Sequence, residues 1–243
     1  MGVCVQKYDW RRCPYLFHVH TSHTDGDLTA AQYVDLAEKA GARTVVFLEH
    51  IRRTPRYDVE RFSAEVRSAG RRSVQTVLGF EAKLLPEGTL DIFDDCLKIA
   101  EVIGIAEHAF PHDRTLLLDT VLKVVRTYPR RWPQATFVWV HPGLWYQKHA
   151  LEAEQDEAFQ QVLAVARDTG VLLEQNLRHG LLSPTAVARL PATSVVTGAD
   201  AHSLRDLERW VARYPAVNPP EEPRRKVRCP LSHPETEPNA AIL

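Results

Sequence analysis

A single α/β barrel, closed or nearly closed, is the fold the sequence predicts, on three observations. Short apolar runs alternate with longer amphipathic stretches, making about seven βα units, the pattern of a parallel sheet. The chain has 243 residues, enough for one well-buried core, and no linker interrupts it before about Ala216. Nearly every predicted strand delivers a histidine, aspartate or glutamate at its C-terminal end, the rim on which a parallel barrel gathers its functional side chains.

The elements follow in order. Residues 15–18 read as the first strand, and 29–40 as a helix with Gly41 in its C-cap region. A buried strand is predicted over 44–48, a helix over 59–69 and a strand over 73–80. Residues 83–89, with Pro86 and Gly88, read as a turn or short hairpin. An apolar strand over 102–105 precedes a helix over 115–127 that carries apolar residues at helical spacing. The β-branched and aromatic run 136–140 is a strand, 154–169 a helix and 171–173 a strand. A short helix over 184–190, a last strand over 194–197 and a last helix over 204–214 complete the pattern. The predicted organisation is an N-terminal arm (1–14), one barrel domain (15–215) and a tail (216–243) rich in Pro, Glu and Arg, poorly ordered or wrapped over the surface.

Composition narrows the function classes. Apolar content of 44% and charged content of 25% are those of a soluble globular protein. A net charge of −1 argues against a non-specific nucleic-acid binder, while leaving a nucleotide substrate open. No apolar stretch reaches the roughly 18 residues of a membrane span, and the N-terminal run has no signal-peptide core. Cys4, Cys13, Cys96 and Cys229 are scattered, without a CxxC pair, which fits reduced thiols in a cytoplasm.

The strand ends carry the chemistry. His18 and His20 stand at i and i+2, so both imidazoles share one face of a strand. Asp25 follows in the loop, His50 and Glu81 close the next two strands, and His108 and His141 follow the two after that. Asp200 and His202 form a second i, i+2 pair. Glu49 points away from its neighbour His50 and is set aside. One catalytic zinc takes about three protein ligands. Nine donors therefore imply two or three ions, with a carboxylate such as Glu81 as a bridge. Mixed imidazole and carboxylate suit zinc, manganese or iron.

The run His18-Val-His20-Thr-Ser-His-Thr-Asp25-Gly26 resembles the first motif, HxHTxxSDG, of the PHP superfamily, named for polymerase and histidinol phosphatase. Glu49-His50 resembles its second motif, Gly79-Phe80-Glu81 its third, and Gly198-Ala-Asp200-Ala-His202 its last, with His108 and His141-Pro142 in order between them. Two positions depart from the pattern: Ala106-Glu107-His108 stands for S-x-H, and Ala199 for a serine. The resemblance implies a distorted (βα)7 TIM-like barrel with up to three metals. One ion would sit on His18, His20, Glu81 and Asp200, a second on Glu81, His108 and His141, and a third on Asp25, His50 and His202. It implies hydrolysis of a small phosphorylated metabolite, a phosphate monoester, by a water held through Glu81, His141 and Asp200.

Cationic side chains would complete a phosphate clamp. Arg178 is the first candidate, since Glu174, Asn176 and Arg178 stand at i, i+2 and i+4 after a strand. Arg52 and Arg53 follow the second motif, and Lys83 lies two residues after Glu81. His23, inside the first motif, is a candidate substrate contact, whereas His112, His149, His179 and His233 read as surface residues. Phe137 and Trp139 share the strand phase of His141 and read as barrel core beneath it, with Trp145 and Tyr146 on the rim loop. Three rival readings keep the same residues: a phosphodiesterase, nuclease, cyclic-phosphate or phosphotyrosine hydrolase, an amide hydrolase, and a non-catalytic metal-stabilised module. The second lacks a strand-end lysine, and the third sits poorly with an intact donor set.

Overall fold

The computed structural model describes residues 9–217. The strands are β1 (Tyr15–Val19), β2 (Thr44–Phe47), β3 (Glu49–Ile51), β4 (Gln75–Val77), β5 (Gly79–Leu85), β6 (Thr89–Leu90), β7 (Val102–Ala106), β8 (Thr136–Trp139), β9 (Leu172–Asn176) and β10 (Val195–Gly198). The helices are α1 (Ala30–Lys39), α2 (Val59–Ala69), α3 (Asp94–Ile99), α4 (Arg114–Arg131), α5 (Leu144–Lys148), α6 (Glu157–Asp168), α7 (Pro184–Ala188) and α8 (Leu204–Val217). Of these, α3 and α5 are too short to show a helical period and have no counterpart in the sequence reading.

Pairing is parallel throughout, in the orders β1-β2-β4 and β10-β9-β8-β7-β5-β3, except for β6, which forms the expected hairpin with β5. Leu48 divides β2 from β3 and Leu78 divides β4 from β5, so two long strands each change partners halfway. With each broken strand counted once, seven strand positions follow one another in chain order. The chain leaving β10 returns to β1: Ala199 N–H donates to Phe17 O (2.9 Å), Ala201 N–H to His18 O (3.0 Å) and His20 N–H to Ala201 O (2.9 Å). The fold is an α/β array of parallel strands whose first and last members meet.

Two apolar layers follow from the alternation of side chains along the strands. The inner one contains Tyr15, Phe17, Val46, Val77, Val102, Val138, Val140, Leu172 and Val196. The outer one packs the other strand faces under the helices. Those helices start at side-chain caps: Thr29 forms a capping box with Gln32, and Asp58, Asp113 and Asp156 accept from the first free N–H groups of α2, α4 and α6.

One reading of strand phase needs correction. Phe137 and Trp139 are not the inner core beneath His141: they lie in the outer layer, with Trp139 against Phe159 of α6, while Val138 and Val140 face inward. The reason is a φ of +35° at His141, which turns the chain and breaks the alternation. A φ of +67° at His18, with a register shift between Phe17 and Val19, does the same on β1. Simple alternation cannot anticipate such bulges. Within the predicted arm, Trp10–Arg12 is a short 3-10 turn, and Trp10 is buried against the inner layer, stacked on Phe17 at 5.3 Å and edge-on to Tyr15 at 5.1 Å. The predicted tail, apart from the last two residues of α8, lies outside the described residues, as do Cys4, Cys229 and His233. Among the described residues no helix is long and apolar enough to cross a membrane.

Candidate metal centre and active site

All nine predicted donors meet at the C-terminal ends of the strands, around Glu81. In the first group, His18 Nε2 lies 3.9 Å from Glu81 Oε1 and 3.8 Å from Asp200 Oδ1. His20 Nε2 lies 3.7 Å from both Glu81 Oε2 and Asp200 Oδ1. In the second, His108 Nε2 and His141 Nε2 approach Glu81 Oε1 at 3.0 and 2.7 Å. In the third, His50 Nε2 and His202 Nε2 stand 3.3 and 3.4 Å from Asp25 Oδ2, and His50 Nδ1 reaches Glu81 Oε2 at 2.7 Å. Within each of three sets, one donor atom per residue lies within 4.8 Å of the others: His20, Asp25, His50, His202; His18, His20, Asp200; and Glu81, His108, His141.

Carboxylates and imidazoles in the cluster shift one another strongly. Burial opposes charge on Glu81 and Asp200, yet the surrounding histidines hold both carboxyls well below the usual carboxylate range. Burial also opposes charge on His18, but Glu174, Asp200 and Glu81 outweigh it and raise the imidazole to about 9. His50, between Glu81 and Asp25, rises against its burial to about 10. His20 goes the other way, well below the ordinary value, through its burial and the neighbouring imidazoles.

The donor set fits divalent metal. His18 and His20 are fully buried, and His18 Nε2 and both ring nitrogens of His20 have no hydrogen-bond partner. Buried polar atoms without partners are costly. A metal shared with the nearby carboxylates would satisfy the Nε2 atoms of His18 and His20, and the mixture of imidazole and carboxylate matches zinc, manganese or iron chemistry.

A family model, the PHP domain, matches residues 17–176. The chain belongs to the PHP family. No curated protein matches it. Among solved structures, it is similar to a two-domain protein from Bacteroides vulgatus containing a predicted PHP-like metal-dependent phosphoesterase, with 16% identity and a TM-score of 0.46 over 79% of this chain and 53% of that one. A D-hydantoinase from Thermus sp. follows, with 12% identity and a TM-score of 0.41 over 74% of this chain and 49% of that one. A putative α-galactosidase from Bacteroides fragilis has 10% identity and a TM-score of 0.38 over 67% and 39%. This PHP chain thus spans about half the length or less of each of these structures.

Above the PHP donor cluster lies a cavity of about 670 Å³. Its walls include Arg178, Arg52, Lys83 and His23 of the predicted contacts. Arg178 reaches Asp200 O at 3.3 Å and touches His202. Lys83 lines the wall because β5 continues to Leu85, keeping it in the phase of Glu81. His23 is paired through Nε2 with Glu65 at 2.7 Å. Arg53 is not part of the wall: it turns to the hairpin, bonding Thr89 Oγ1 at 2.6 Å and Glu87 at 3.4 Å. Glu49 faces away from His50 as expected, buried under Thr21 and Thr24, whose hydroxyls it accepts.

Several residues at the site were not predicted. His179, read as a surface residue, lines the cavity with Nε2 at 3.4 Å from Asp200 Oδ2, because the chain turns after β9 and strand phase ends there. Arg56 and Lys148 add two cations to the wall, and their positions depend on loop paths that carry no periodic signal. Trp145 and Tyr146 are buried rather than presented to the cavity, which Leu144 and Lys148 of the same helix line instead. His112 and His149, also read as plain surface residues, stack on each other with centroids 4.1 Å apart.

Proposed function

We propose that the protein is a metal-dependent hydrolase of a small-molecule phosphate monoester, with two or three divalent ions as cofactor. One observation carries the reading: nine imidazole and carboxylate donors converge beneath a cavity of about 670 Å³ whose walls bear Arg52, Arg56, Lys83, Lys148 and Arg178. Cationic walls over a metal-binding floor suit a phosphorylated ligand, and a pocket of several hundred Å³ suits a metabolite-sized one.

His18, His20, Glu81 and Asp200 would hold one ion, Glu81, His108 and His141 a second, and Asp25, His50 and His202 a third. Bound ions supply Lewis acidity toward phosphoryl oxygens and a water acidified toward neutral pH. The chain's own residues then do the rest. Glu81, reached by five imidazoles, keeps the donor groups at fixed spacing. Arg178, held against Asp200 O, offers its guanidinium edge to the phosphoryl oxygens, and Lys83 adds a second cation beside Glu81. The buried floor keeps bulk water from these charges, which strengthens each contact.

The test is release of inorganic phosphate from a panel of phosphorylated metabolites by manganese- or zinc-loaded protein, with His141→Ala as control. Release that disappears in the variant supports the reading. A folded, metal-loaded protein that releases no phosphate from any monoester refutes it and directs the search to diesters.

A further inference from the structure

We propose that Glu174, which is not one of the nine donors, is the positioning residue for two of the three donor groups, and that position 198 is glycine to make room for it. This rests on the reading that those groups hold metal.

Glu174 is the middle residue of β9, borders the donor cluster and is fully buried. Its two oxygens divide the work. Oε1 lies 2.6 Å from His18 Nδ1. Oε2 accepts the backbone N–H of His141 at 2.6 Å and the Asn176 side-chain amide at 3.0 Å. The same amide reaches Asp200 Oδ2 at 3.2 Å. One carboxylate therefore touches donors on β1 and after β8, and through Asn176 a third after β10.

Its chemistry makes these contacts directive. An ionised carboxylate only accepts, so the proton on His18 must stand at Nδ1. In the neutral ring that binds a metal, the lone pair is then on Nε2, the nitrogen that faces Glu81 and Asp200. With the opposite tautomer, His18 would turn an N–H on the ion's place. At His141 the contact anchors a residue whose φ of +35° is strained for any L side chain. That strained turn is what brings the imidazole inward after the inward-facing Val140.

Space for the carboxylate comes from the neighbouring strand. Gly198 of β10 is in register with Asn176, and a Cβ there would stand 2.5 Å from Glu174 Cδ and 2.9 Å from its Cγ. A fully buried side chain has nowhere to retreat. Gly198 and Glu174 are thus one device on two strands. Among the described residues, Asp25, His50 and His202 make no hydrogen bond or ion pair with Glu174, so their group is an internal control.

The experiment is equilibrium dialysis of metal-stripped protein against Zn2+, counting bound metal per chain, with His18→Ala and His50→Ala marking which step belongs to which group. Glu174→Gln keeps the shape but must place an NH2 toward either His18 Nδ1, which then accepts and carries its proton on Nε2, or the His141 N–H, where two donors meet, so either the tautomer or the anchor is lost. The expected result is a loss of about 10- to 100-fold in affinity at the two groups that Glu174 touches, with the His50 step unchanged. Gly198→Ala should reproduce that loss with Glu174 in place, and should add nothing on a Glu174→Ala background. It also carries the test if Glu174→Gln does not fold. Wild-type affinity at every step in both folded single variants overturns this inference alone. A wild-type protein that binds no metal overturns it together with the proposed function.

Discussion

Replacing Trp10 by alanine should destabilise the protein strongly without touching its chemistry. Trp10 is 4% exposed, stacks on Phe17 with an interplanar angle of 2° and meets Tyr15 edge-on at 88°. It joins the inner layer through Tyr15 and Phe17, N-terminal to the strand ends where the donors gather. Truncating a buried tryptophan costs about 3–5 kcal/mol, of which each aromatic pair accounts for about 0.5–1.5 kcal/mol. For a domain of this size, each kcal/mol shifts the melting temperature by about 2–4 °C, so Trp10→Ala should melt roughly 6–20 °C below wild type. Trp10→Phe, which keeps a stacked ring, should lose less. The assay is thermal unfolding by circular dichroism, paired with metal content at a temperature where all variants are folded. A Trp10→Ala protein that melts within about 2 °C of wild type would refute the reasoning and make residues 9–12 a dispensable arm.

Other expectations follow from the same structure. Asp156 caps α6, accepts the Tyr146 hydroxyl at 2.7 Å and pairs with Arg114, and that guanidinium holds its carboxyl below the ordinary aspartate value against the opposing effect of burial. Asp156→Ala should cost about 1–2 kcal/mol in denaturant melts near neutral pH. Because the folded pKa is depressed, this contribution is complete above the unfolded value of 3.8 and fades as pH falls further, so the variant should show a shallower loss of stability on acidification below about pH 4. Charge reversal at Arg56 and Lys148, which line the cavity without ligating donors, should raise KM for a phosphorylated substrate about 10-fold or more while kcat changes little, read from initial rates across substrate concentration. Chelation should lower the melting temperature, since ligand at about 1,000 times its Kd stabilises by about 4 kcal/mol; an unchanged melting curve, with metal removal confirmed by elemental analysis, would refute resident metal.

Much of the site was legible because its donors are local to strand ends. His18 with His20 is a pair whose shared direction follows from strand alternation over two residues, whereas Asp200 and His202 lie past the end of β10 and Asp200 has a left-handed φ of +49°. His50, Glu81, His108 and His141 each stand within two residues of the end of an apolar run, so their common rim follows once the strands are parallel. Candidates on loops fared unevenly. Arg52 and Arg53 are neighbours in sequence, yet one lines the cavity and the other bonds the hairpin at Glu87 and Thr89, a choice made by the chain path rather than by residue type.

By itself, the sequence determined the order of strands and helices and which nine imidazoles and carboxylates stand near the strand ends, because hydrophobic period and residue type are properties of short segments. Only the tertiary structure decided which groups those donors form, and how they are held. The left-handed φ at His18 and His141 turns both rings inward against simple alternation. The partner changes at Leu48 and Leu78 let two long strands join both sheets. Trp10 becomes core through contacts with Tyr15 and Phe17, and Glu174 meets His18 across 156 residues of chain. These contacts are long-range, and no local pattern encodes a neighbour that only packing supplies.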